Sequence, residues 1–516
     1  MKVVVIGAGL AGLAAACHLT GRGYEVTVVE TEPIPGGRNG QLVRDGFTFD
    51  TGPTVLTMRD LVVDALRAVD ADIDDLLPMR RLDPAYRARY ADGSTIHVRY
   101  GRDAMRAEIA EVCGSVDAAA FDGFVDWLQE LYVAEMPNFI DRNFNSPLDL
   151  LSRPGVAAKL VRLGGFGRLG AAIRKRFGDD RLHRLFSFQA MYAGLAPDDA
   201  LAIYAVITYM DSIEGVWFPD GGMHSLPVAL ATAAEKAGAV LRYDTSVSAV
   251  LRRRDTGGVA GVRLSDGDTV AADAVVCTLD LPTAYEKLLP DLSPPRVLRR
   301  AQYSPSAVVW HVGVRGELPP EAAHHNIHFA NEWAGAFDDL LKRGTLMGDP
   351  SRLVTIPSLA DPALAPEGCS TLFVLEPVPN LRAGHLDWAR ERGPMRERLL
   401  AFLAAEGYPT DVVTEELVTP VEWQAQGMAA GTPFALAHTF GQTGPFRPPN
   451  LERRVPGLIF AGSGTVPGVG VPMVLISGKL AADRVGDYLR RESVPALGAS
   501  ATRSLGGPRR LTRKGS

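Results

Sequence analysis

The chain opens with a strand, a glycine-rich turn and a helix, and this unit restricts the fold more than any other feature. Residues 3–6, "VVVI", are a continuous β-branched run, as in buried parallel strands. Gly7, Gly9 and Gly12 follow with the spacing G-x-G-x-x-G and open an apolar helical stretch. A second strand, "EVTVVE", ends in Glu30. Together these elements predict a dinucleotide-binding α/β fold.

The residues of this unit have separate predicted roles. Gly7 makes the tight turn, Gly9 lets a pyrophosphate approach the backbone, and Gly12 allows close packing of the helix. Glu30 accepts hydrogen bonds from ribose hydroxyls. The phosphates are expected at the helix N-terminus, where free N–H groups and the helix dipole favour anions. The predicted cofactor-binding residues of this unit are Gly7, Ala8, Gly9, Leu10, Ala11, Gly12 and Glu30.

A second glycine-rich turn lies near the other end of the chain. The stretch "LIFAGSGTVPGVGVPMV", residues 458–474, follows an apolar strand with Gly462, Gly464, Gly468 and Gly470 and leads into a predicted helix. Such turns let backbone N–H groups approach a ligand closely. Two turns of this kind predict one long ligand that is held by both ends of the chain.

NAD and FAD both fit the first turn, and two further segments favour FAD. "PGGRNG" places Gly36, Gly37 and Arg38 shortly after Glu30, and "FDTGPT" follows with Thr51, Gly52, Pro53 and Thr54. A cationic Arg after two glycines suits a second contact to the pyrophosphate. This pairing resembles FAD enzymes of the amine-oxidase and carotenoid-desaturase superfamily. The second turn would then face the ribityl chain and the pyrimidine edge of the flavin, where negative charge develops on reduction.

These segments predict an α/β protein with a discontinuous Rossmann-like FAD-binding domain, an inserted α+β substrate domain and a helical membrane or lid region. The FAD-binding domain takes residues 1–103, 216–300 and 451–490. A helical substrate and membrane-associating region takes 104–215, and a substrate domain with a mixed or antiparallel sheet takes 301–450. A β-hairpin is predicted about Asp266 and Gly267.

Charge and cysteine usage exclude several classes of protein. The net charge of -6 argues against a nucleic-acid binder. The segment 491–516 is Pro-, Gly-, Ser- and Arg-containing and predicts a disordered basic tail. No run is long enough to span a bilayer. The four cysteines form no CxxC pair, which predicts neither zinc nor disulfides and fits a reducing cytoplasm; they are Cys17, Cys113, Cys277 and Cys369.

Several longer motifs resemble the bacterial and fungal type phytoene desaturases over about residues 2–490. They include "NFNSPLDLL", "LADPALAPEGCSTLFVLEPVPNL", "FRPPN" and the stretch from "LFSFQAMYAGL" to "FPDGGM". The resemblance implies noncovalent FAD, an apolar tunnel ending at the flavin, and peripheral attachment to a membrane. It also implies that Val247 holds the adenine through its backbone. It further implies that Val471 and Pro472 approach the flavin. The second turn adds Gly462, Gly464 and Gly470 to the predicted cofactor-binding residues.

Two residues depart from the pattern of that family. Met473 stands where many relatives have Gly, which leaves the substrate and the number of desaturation steps open. Asn39 replaces a small residue after Gly-Gly-Arg.

The implied reaction removes a hydride from an allylic CH2 to flavin N5 and a proton from the neighbouring CH2. Three carboxyl groups beside apolar runs are candidates for the proton acceptor, Asp149, Asp211 and Glu214, because desolvation would raise the pKa of each. Asp149 is equally plausible as a helix-start residue and Glu214 as a solvated loop charge. No metal site is predicted, since surface or packing roles are favoured for His324, His325 and His328.

Residues 155–177 combine apolar residues at helical spacing with basic residues. The apolar positions are Val156, Leu160, Leu163, Phe166, Leu169, Ile173 and Phe177. Such a segment can lie in an anionic membrane interface, and it can also cover the substrate tunnel. The two roles do not exclude each other.

The leading prediction is an FAD-dependent desaturase that converts phytoene towards neurosporene or lycopene and passes electrons to oxygen or a quinone. It is expected in the cytoplasm, associated with the inner face of the cell membrane. The alternatives are a desaturase of a C30 or modified carotenoid, a carotenoid isomerase or ketolase, and a non-catalytic prenyl-binding escort. The oligomeric state is left open.

Overall fold

The computed structural model describes residues 1–493. The predicted basic tail, 491–516, lies outside the described residues from position 494 onward. Its first three residues are not a disordered tail, because they complete the last helix, which ends at Ser493.

The described chain contains nineteen strands and seventeen α-helices, with a run of helices and no strand between Arg102 and Ile213. The strands are β1 (Lys2–Ile6), β2 (Glu25–Val29), β3 (Gln41–Arg44), β4 (Phe47–Asp50), β5 (Met79–Arg81), β6 (Tyr86–Tyr90), β7 (Thr95–Val98), β8 (Trp217–Pro219), β9 (Val240–Arg242), β10 (Val247–Arg252), β11 (Val259–Leu264), β12 (Thr269–Ala271), β13 (Ala274–Cys277), β14 (Ser306–Arg315), β15 (His325–Phe329), β16 (Arg352–Thr355), β17 (Cys369–Val378), β18 (Asp411–Val418) and β19 (Leu458–Phe460).

The helices are α1 (Leu10–Gly21), α2 (Arg59–Arg67), α3 (Ile73–Leu76), α4 (Arg102–Val112), α5 (Ser115–Glu135), α6 (Pro154–Arg162), α7 (Leu169–Arg174), α8 (Asp180–Leu185), α9 (Val206–Thr208), α10 (Ser225–Lys236), α11 (Leu281–Leu288), α12 (Arg296–Arg299), α13 (Ala334–Asp338), α14 (Pro357–Ala360), α15 (Trp388–Ala405), α16 (Pro420–Ala425) and α17 (Val471–Ser493). Turns of π-helix occur at Met136–Ile140, Tyr209–Ile213 and Asp339–Arg343.

A five-stranded parallel sheet gathers strands from the start, the middle and the end of the chain. Its order is β19–β13–β1–β2–β9. Residues 3–6 are buried, as their unbroken apolar run predicts for a strand covered on both faces. The sheet therefore brings the two glycine turns, which follow β1 and β19, to the same edge.

The first and last long helices pack directly against each other on this sheet. A Cβ on Gly478 of α17 would lie 2.4 Å from the Ala11 carbonyl oxygen of α1. Only a residue without a side chain permits this approach. The contact holds the two ends of the chain together.

A seven-stranded sheet forms the second layer, in the order β18–β14–β17–β16–β15–β6–β7. Its longest pair, β14 and β17, is antiparallel from Ser306 opposite Val378 to Arg315 opposite Cys369. Strands β6 and β7 come from residues 86–98, which the predicted boundary at 103 assigned to the FAD-binding domain. The pairing of β15 with β6 is parallel and joins the two segments.

The three histidines near β15 are buried, so a surface position is wrong for them and packing is confirmed. His325 contacts the carbonyl oxygens of Thr54 at 3.0 Å and Ala85 at 3.1 Å. Burial lowers the pKa of His325 to about 4, so the ring is neutral.

Two local predictions have different outcomes. The hairpin about Asp266 and Gly267 is confirmed, since β11 and β12 pair antiparallel across it. The apolar residues at helical spacing in 155–177 form two separate helices, α6 and α7, because Gly164 between them has φ +72°. Four of the apolar residues of this segment face the protein core and are buried: Leu160, Leu169, Ile173 and Phe177.

None of the helices in residues 1–493 has the length and apolar character needed to cross a membrane.

Candidate active site

One continuous cavity of about 1370 Å³ runs from the glycine turns into the apolar interior. Gly9 of the first turn and Gly470 of the second both line it. Further along, the walls are mainly apolar side chains of the helical region and of the seven-stranded sheet, including Phe188, Ile207, Phe329, Phe373 and Met473. The cavity thus has a backbone-lined end and an apolar end.

The first turn has the geometry that its glycines predict. Gly7 has φ +100°, and a Cβ there would lie 2.3 Å from Thr278 Oγ1. A Cβ on Gly12 would lie 2.0 Å from the Gly7 carbonyl oxygen. A larger residue at Gly7 would collide with the segment after β13, and one at Gly12 would push α1 away from the turn.

Gly9 faces Gly36 and Gly37 across a narrow groove. The Gly36 N–H donates to the Ala8 carbonyl oxygen at 2.9 Å. A Cβ on Gly9 would point at the Gly36 carbonyl oxygen from 3.8 Å. No side chain caps the N-terminus of α1, which begins directly after Gly9. This cradle of bare backbone and free N–H groups fits a pyrophosphate.

Glu30 lies at the carboxyl end of β2 on the wall of the cavity. Its carboxylate accepts hydrogen bonds from the N–H groups of Ala8 at 2.6 Å and Glu32 at 3.0 Å. Val247 lines the same end of the cavity. The arrangement suits a ribose and adenine beside the pyrophosphate cradle.

Arg38 connects the two glycine turns. Its guanidinium donates to Ser463 Oγ at 2.9 Å, and it lies 3.6 Å from Asp280 Oδ2. About a third of the side chain is exposed, and it lines the cavity. A cation at this position can contact phosphate oxygens between the two turns.

A buried polar network supports the segment around Arg38. Asp50 accepts from the N–H groups of Met223 at 2.8 Å and His224 at 2.9 Å. The Asn39 side chain donates to the Met223 carbonyl oxygen at 2.9 Å. A Cβ on Gly222 would lie 2.9 Å from Asp50 Oδ2. Asn39, which departs from the family pattern, is therefore part of the support of the turn.

The second turn is held from behind. The Ser477 hydroxyl accepts from the Gly462 N–H at 3.0 Å and donates to the Val466 carbonyl oxygen at 2.8 Å. Gly462 has φ +107° and Gly470 has φ +112°, conformations that favour glycine. Helix α17 begins at Val471, directly beside the cavity.

Most of the residues predicted for the cofactor line this cavity. They are Gly7, Gly9, Leu10, Ala11, Glu30, Gly36, Gly37, Arg38, Thr51, Gly52, Pro53, Thr54, Val247, Gly462, Gly470, Val471 and Pro472. Ala8, Gly12 and Gly464 lie behind this surface. Thr278 and Asp280 also line the cavity, although no motif in the sequence indicated them, and so does Ser463 of the second turn.

Among the predicted proton acceptors, Asp211 lines the apolar part of the cavity. The Ser212 hydroxyl donates to Asp211 Oδ1 at 2.7 Å. Burial raises the pKa of Asp211 to about 7, against hydrogen bonds from Ser212 and Gln189 that lower it. The carboxyl can therefore exchange a proton near neutral pH.

Asp149 and Glu214 do not line the cavity. Hydrogen bonds from the N–H groups of Asn145 and Ser146 lower the pKa of Asp149, so the expected rise is wrong for this residue. Asp149 instead has the helix-start role that was its alternative. Burial raises the pKa of Glu214 as expected, with a smaller contribution from the Asp60 carboxylate.

Glu135 is a carboxyl group of the cavity wall that sequence reasoning missed. It is 5% exposed, and its Oε1 has no hydrogen-bond partner within residues 1–493. Burial alone raises the pKa of Glu135 well above its ordinary value. The spacing of Phe124, Leu128 and Leu131 along α5 carries the signal, because it puts Glu135 on the buried face.

Both buried carboxyl groups lie at irregular helical turns. Glu135 ends α5 where the π-helical turn Met136–Ile140 begins, and Asp211 lies inside Tyr209–Ile213. The two turns share an apolar cluster with Met473. Turns of π-helix often occur at functional sites.

Comparison with known proteins gives one consistent family. Residues 10–486 match the flavin containing amine oxidoreductase family. The chain is 51% identical to a phytoene dehydrogenase of Streptomyces griseus, over 97% of this chain and 98% of the relative. It is 37% identical to a zeta-carotene-forming phytoene desaturase of Myxococcus xanthus, over 96% of this chain and 95% of that relative.

Among solved structures, an oxidoreductase from Methanosarcina mazei matches with a TM-score of 0.61 and 19% identity, over 93% of this chain and 99% of that one. This likeness supports the FAD-binding α/β fold. The family match and the curated relatives confirm FAD as the cofactor and an oxidoreductase as the class of enzyme. The alternative of a non-catalytic escort is thereby opposed.

Proposed function

Because the chain belongs to the phytoene desaturase family of flavin-containing amine oxidoreductases, we propose that it desaturates a linear carotenoid. The proposed substrate is phytoene, converted towards neurosporene or lycopene in carotenoid biosynthesis. One observation carries the proposal: a single cavity joins the backbone cradle of the glycine turns to an apolar corridor. A hydrocarbon chain needs such a corridor in order to reach a flavin.

The cofactor end would hold FAD without a covalent bond. Gly9 and Gly36 would accommodate the pyrophosphate, Glu30 the ribose, and Arg38 the phosphate oxygens. The turn from Gly462 to Pro472 would face the flavin. When bound, FAD supplies a hydride acceptor at N5 for an allylic CH2 of the substrate.

The apolar walls would hold the polyene and exclude water from the reacting carbons. Removal of a hydride leaves an allylic cation, which water would otherwise capture. Loss of a proton from the neighbouring CH2 then extends the conjugation. Correct placement of the chain, rather than strong chemistry by a side chain, is the main task of these walls.

Asp211 is the proposed proton acceptor. It is buried in the cavity wall, and its pKa of about 7 leaves a substantial ionised fraction at neutral pH. Glu135 is a weaker candidate for a base, because burial alone raises its pKa well above the ordinary value.

The corridor reaches the surface between α6 and the segment around Phe440. Phe166 and Phe440 both line it and are 44% and 59% exposed. Val161 is exposed nearby on α6, and the basic side chains of Arg162 and Lys175 are also exposed. We propose that this rim rests on the inner face of the cell membrane, where polyenes dissolve, and that oxygen or a quinone accepts the electrons.

Co-expression with a phytoene synthase in a colourless host tests the proposed reaction. Coloured polyenes are expected, and their chromophore lengths count the desaturation steps. Unchanged phytoene would contradict the proposal. Parallel strains that supply a C30 or a modified carotenoid would then separate the alternative substrates, and cis-trans or keto products would identify an isomerase or a ketolase.

A further inference from the structure

Arg447, in the segment "FRPPN", is almost completely enclosed by the protein. It is 2% exposed and does not line the cavity. Its guanidinium donates to four backbone carbonyl oxygens: those of Ser463 at 2.6 Å, Thr465 at 2.9 Å, Leu436 at 3.3 Å and Gln442 at 3.3 Å. Two of these carbonyls belong to the second glycine turn.

No carboxylate within residues 1–493 lies at ion-pair distance from Arg447. The buried His438 nearby adds no charge, because burial, together with Arg447, lowers the pKa of His438 well below its ordinary value. Burial lowers the pKa of Arg447 only to about 10, so the guanidinium stays protonated at neutral pH. A buried charge of this kind costs free energy unless something compensates for it.

Tyr204, and after it Asp280, act through space to raise the pKa of Arg447 against burial, and the Asp280 carboxylate is engaged elsewhere. Its Oδ2 accepts from the Ala429 N–H at 2.9 Å and lies 3.6 Å from Arg38. The Asp280 carboxylate therefore pairs with Arg38, while Arg447 has only carbonyl oxygens as partners. Arg38, Arg447 and Asp280 together carry a net positive charge around the second turn.

The turn between Arg447 and the cavity is thin. Gly462, Ser463 and Pro467 line the cavity on one side, while Arg447 holds the Ser463 and Thr465 carbonyls on the other. In a trans peptide the N–H points opposite to the carbonyl oxygen. The two clamped peptide units thus direct their N–H groups, those of Gly464 and Val466, away from the guanidinium.

We propose that Arg447 is a positioning residue that raises the reduction potential of the bound flavin. Its charge and the peptide dipoles that it orients favour the negative charge which reduction places on the pyrimidine edge of the flavin. The inference rests on the proposed placement of that edge against the second turn. It does not depend on which polyene is the substrate.

The test is a reductive titration of the FAD-loaded protein against a reference dye, without polyene. R447Q keeps a hydrogen-bond donor but removes the charge, and we expect the reduction equilibrium to fall about tenfold, which is about 30 mV for a two-electron couple. R447K keeps the charge and should stay within about threefold of the wild-type equilibrium. D280N removes the neighbouring negative charge and should move the potential upward.

D266N, with the same charge change in the exposed β11–β12 turn, is the matched control and should leave the potential unchanged. An unaltered potential in R447Q, or a downward shift in D280N, would overturn the inference. If R447Q does not retain FAD, the size of the R447K shift, expected within about threefold, and the upward direction of the D280N shift decide the matter. Because the titration contains no polyene, an unaltered potential would not contradict the proposed desaturation. Unreacted phytoene in the co-expression experiment would likewise not contradict a measured shift in potential.

Discussion

Replacement of Gly478 by Ala tests the contact that joins the two ends of the chain. Its Cβ would lie 2.4 Å from the Ala11 carbonyl oxygen, 2.9 Å from Ala14 Cβ and 2.9 Å from the Ala15 nitrogen. Two of these atoms are backbone atoms of α1, which cannot rotate away. The substitution therefore has to separate α1 from α17.

Gly486 provides a matched control on the same helix. A Cβ there would meet only flexible side-chain ends, the nearest being an Arg490 nitrogen at 3.4 Å. Both substitutions gain about 1 kcal/mol of helix propensity, so this gain cancels between them. What remains is the cost of overpacking at Gly478, typically about 1–3 kcal/mol, and the backbone contacts place it at the upper end.

The two variants are compared by the temperature at which flavin fluorescence is released and by their affinity for FAD. G478A should release its flavin at a lower temperature than G486A. It should also bind FAD more weakly, because α1 carries the phosphate cradle at its N-terminus. The temperature of flavin release of G486A should equal or exceed that of the wild type. Equal stability of the two variants would show that the helices do not touch as closely as described.

Three further outcomes are expected. The desaturation rate should rise with pH through about 7, where buried Asp211 ionises and can accept a proton; D211N should lose this rise and about 100-fold or more of the rate. An unfolded glutamate ionises near its ordinary pKa, whereas burial raises the pKa of Glu135. The native state therefore loses stability as pH rises between the two values, and the advantage of E135Q in unfolding experiments at pH 6, 7 and 8 should grow by up to about 1.4 kcal/mol per pH unit. A pH-independent difference would contradict the buried, unpaired state of Glu135. Reversal of two exposed basic residues, R162E with K175E, should reduce sedimentation with anionic vesicles at least severalfold, whereas equal binding would place the membrane contact elsewhere; the control reverses Arg254, in the turn between β10 and β11, and Arg263 on β11, which are both exposed.

Motifs governed by backbone geometry could be predicted from the sequence. Gly7 and Gly12 are irreplaceable because a Cβ at either position would collide with a neighbouring atom, and that requirement is visible as a spacing pattern. The hairpin about Gly267 is visible for another reason, since Gly267 has φ +98°, a conformation that favours glycine. Apolar periodicity was less reliable at 155–177, where glycines divide the pattern into two helices.

The carboxyl groups show the limit of local patterns. Asp149 and Asp211 both stand beside apolar residues, yet burial raises the pKa of Asp211 whereas N–H donors at the surface lower the pKa of Asp149. Glu135 looks like any other helical glutamate in the sequence. Its burial becomes evident only when its neighbours along α5 are seen to face the core. Desolvation depends on what packs around a group, and no short stretch of sequence contains that information.

The sequence by itself determined the nucleotide fold, the cofactor and the family, because these depend on residues that act within one strand, turn or helix. Only the tertiary structure decided which groups meet. It alone placed Arg38 against Ser463, Arg447 behind the second turn, and Asp211 rather than Asp149 on the cavity wall. Such contacts join residues far apart in the chain, and they form only when burial of the two sheets and the helices between them brings those residues together.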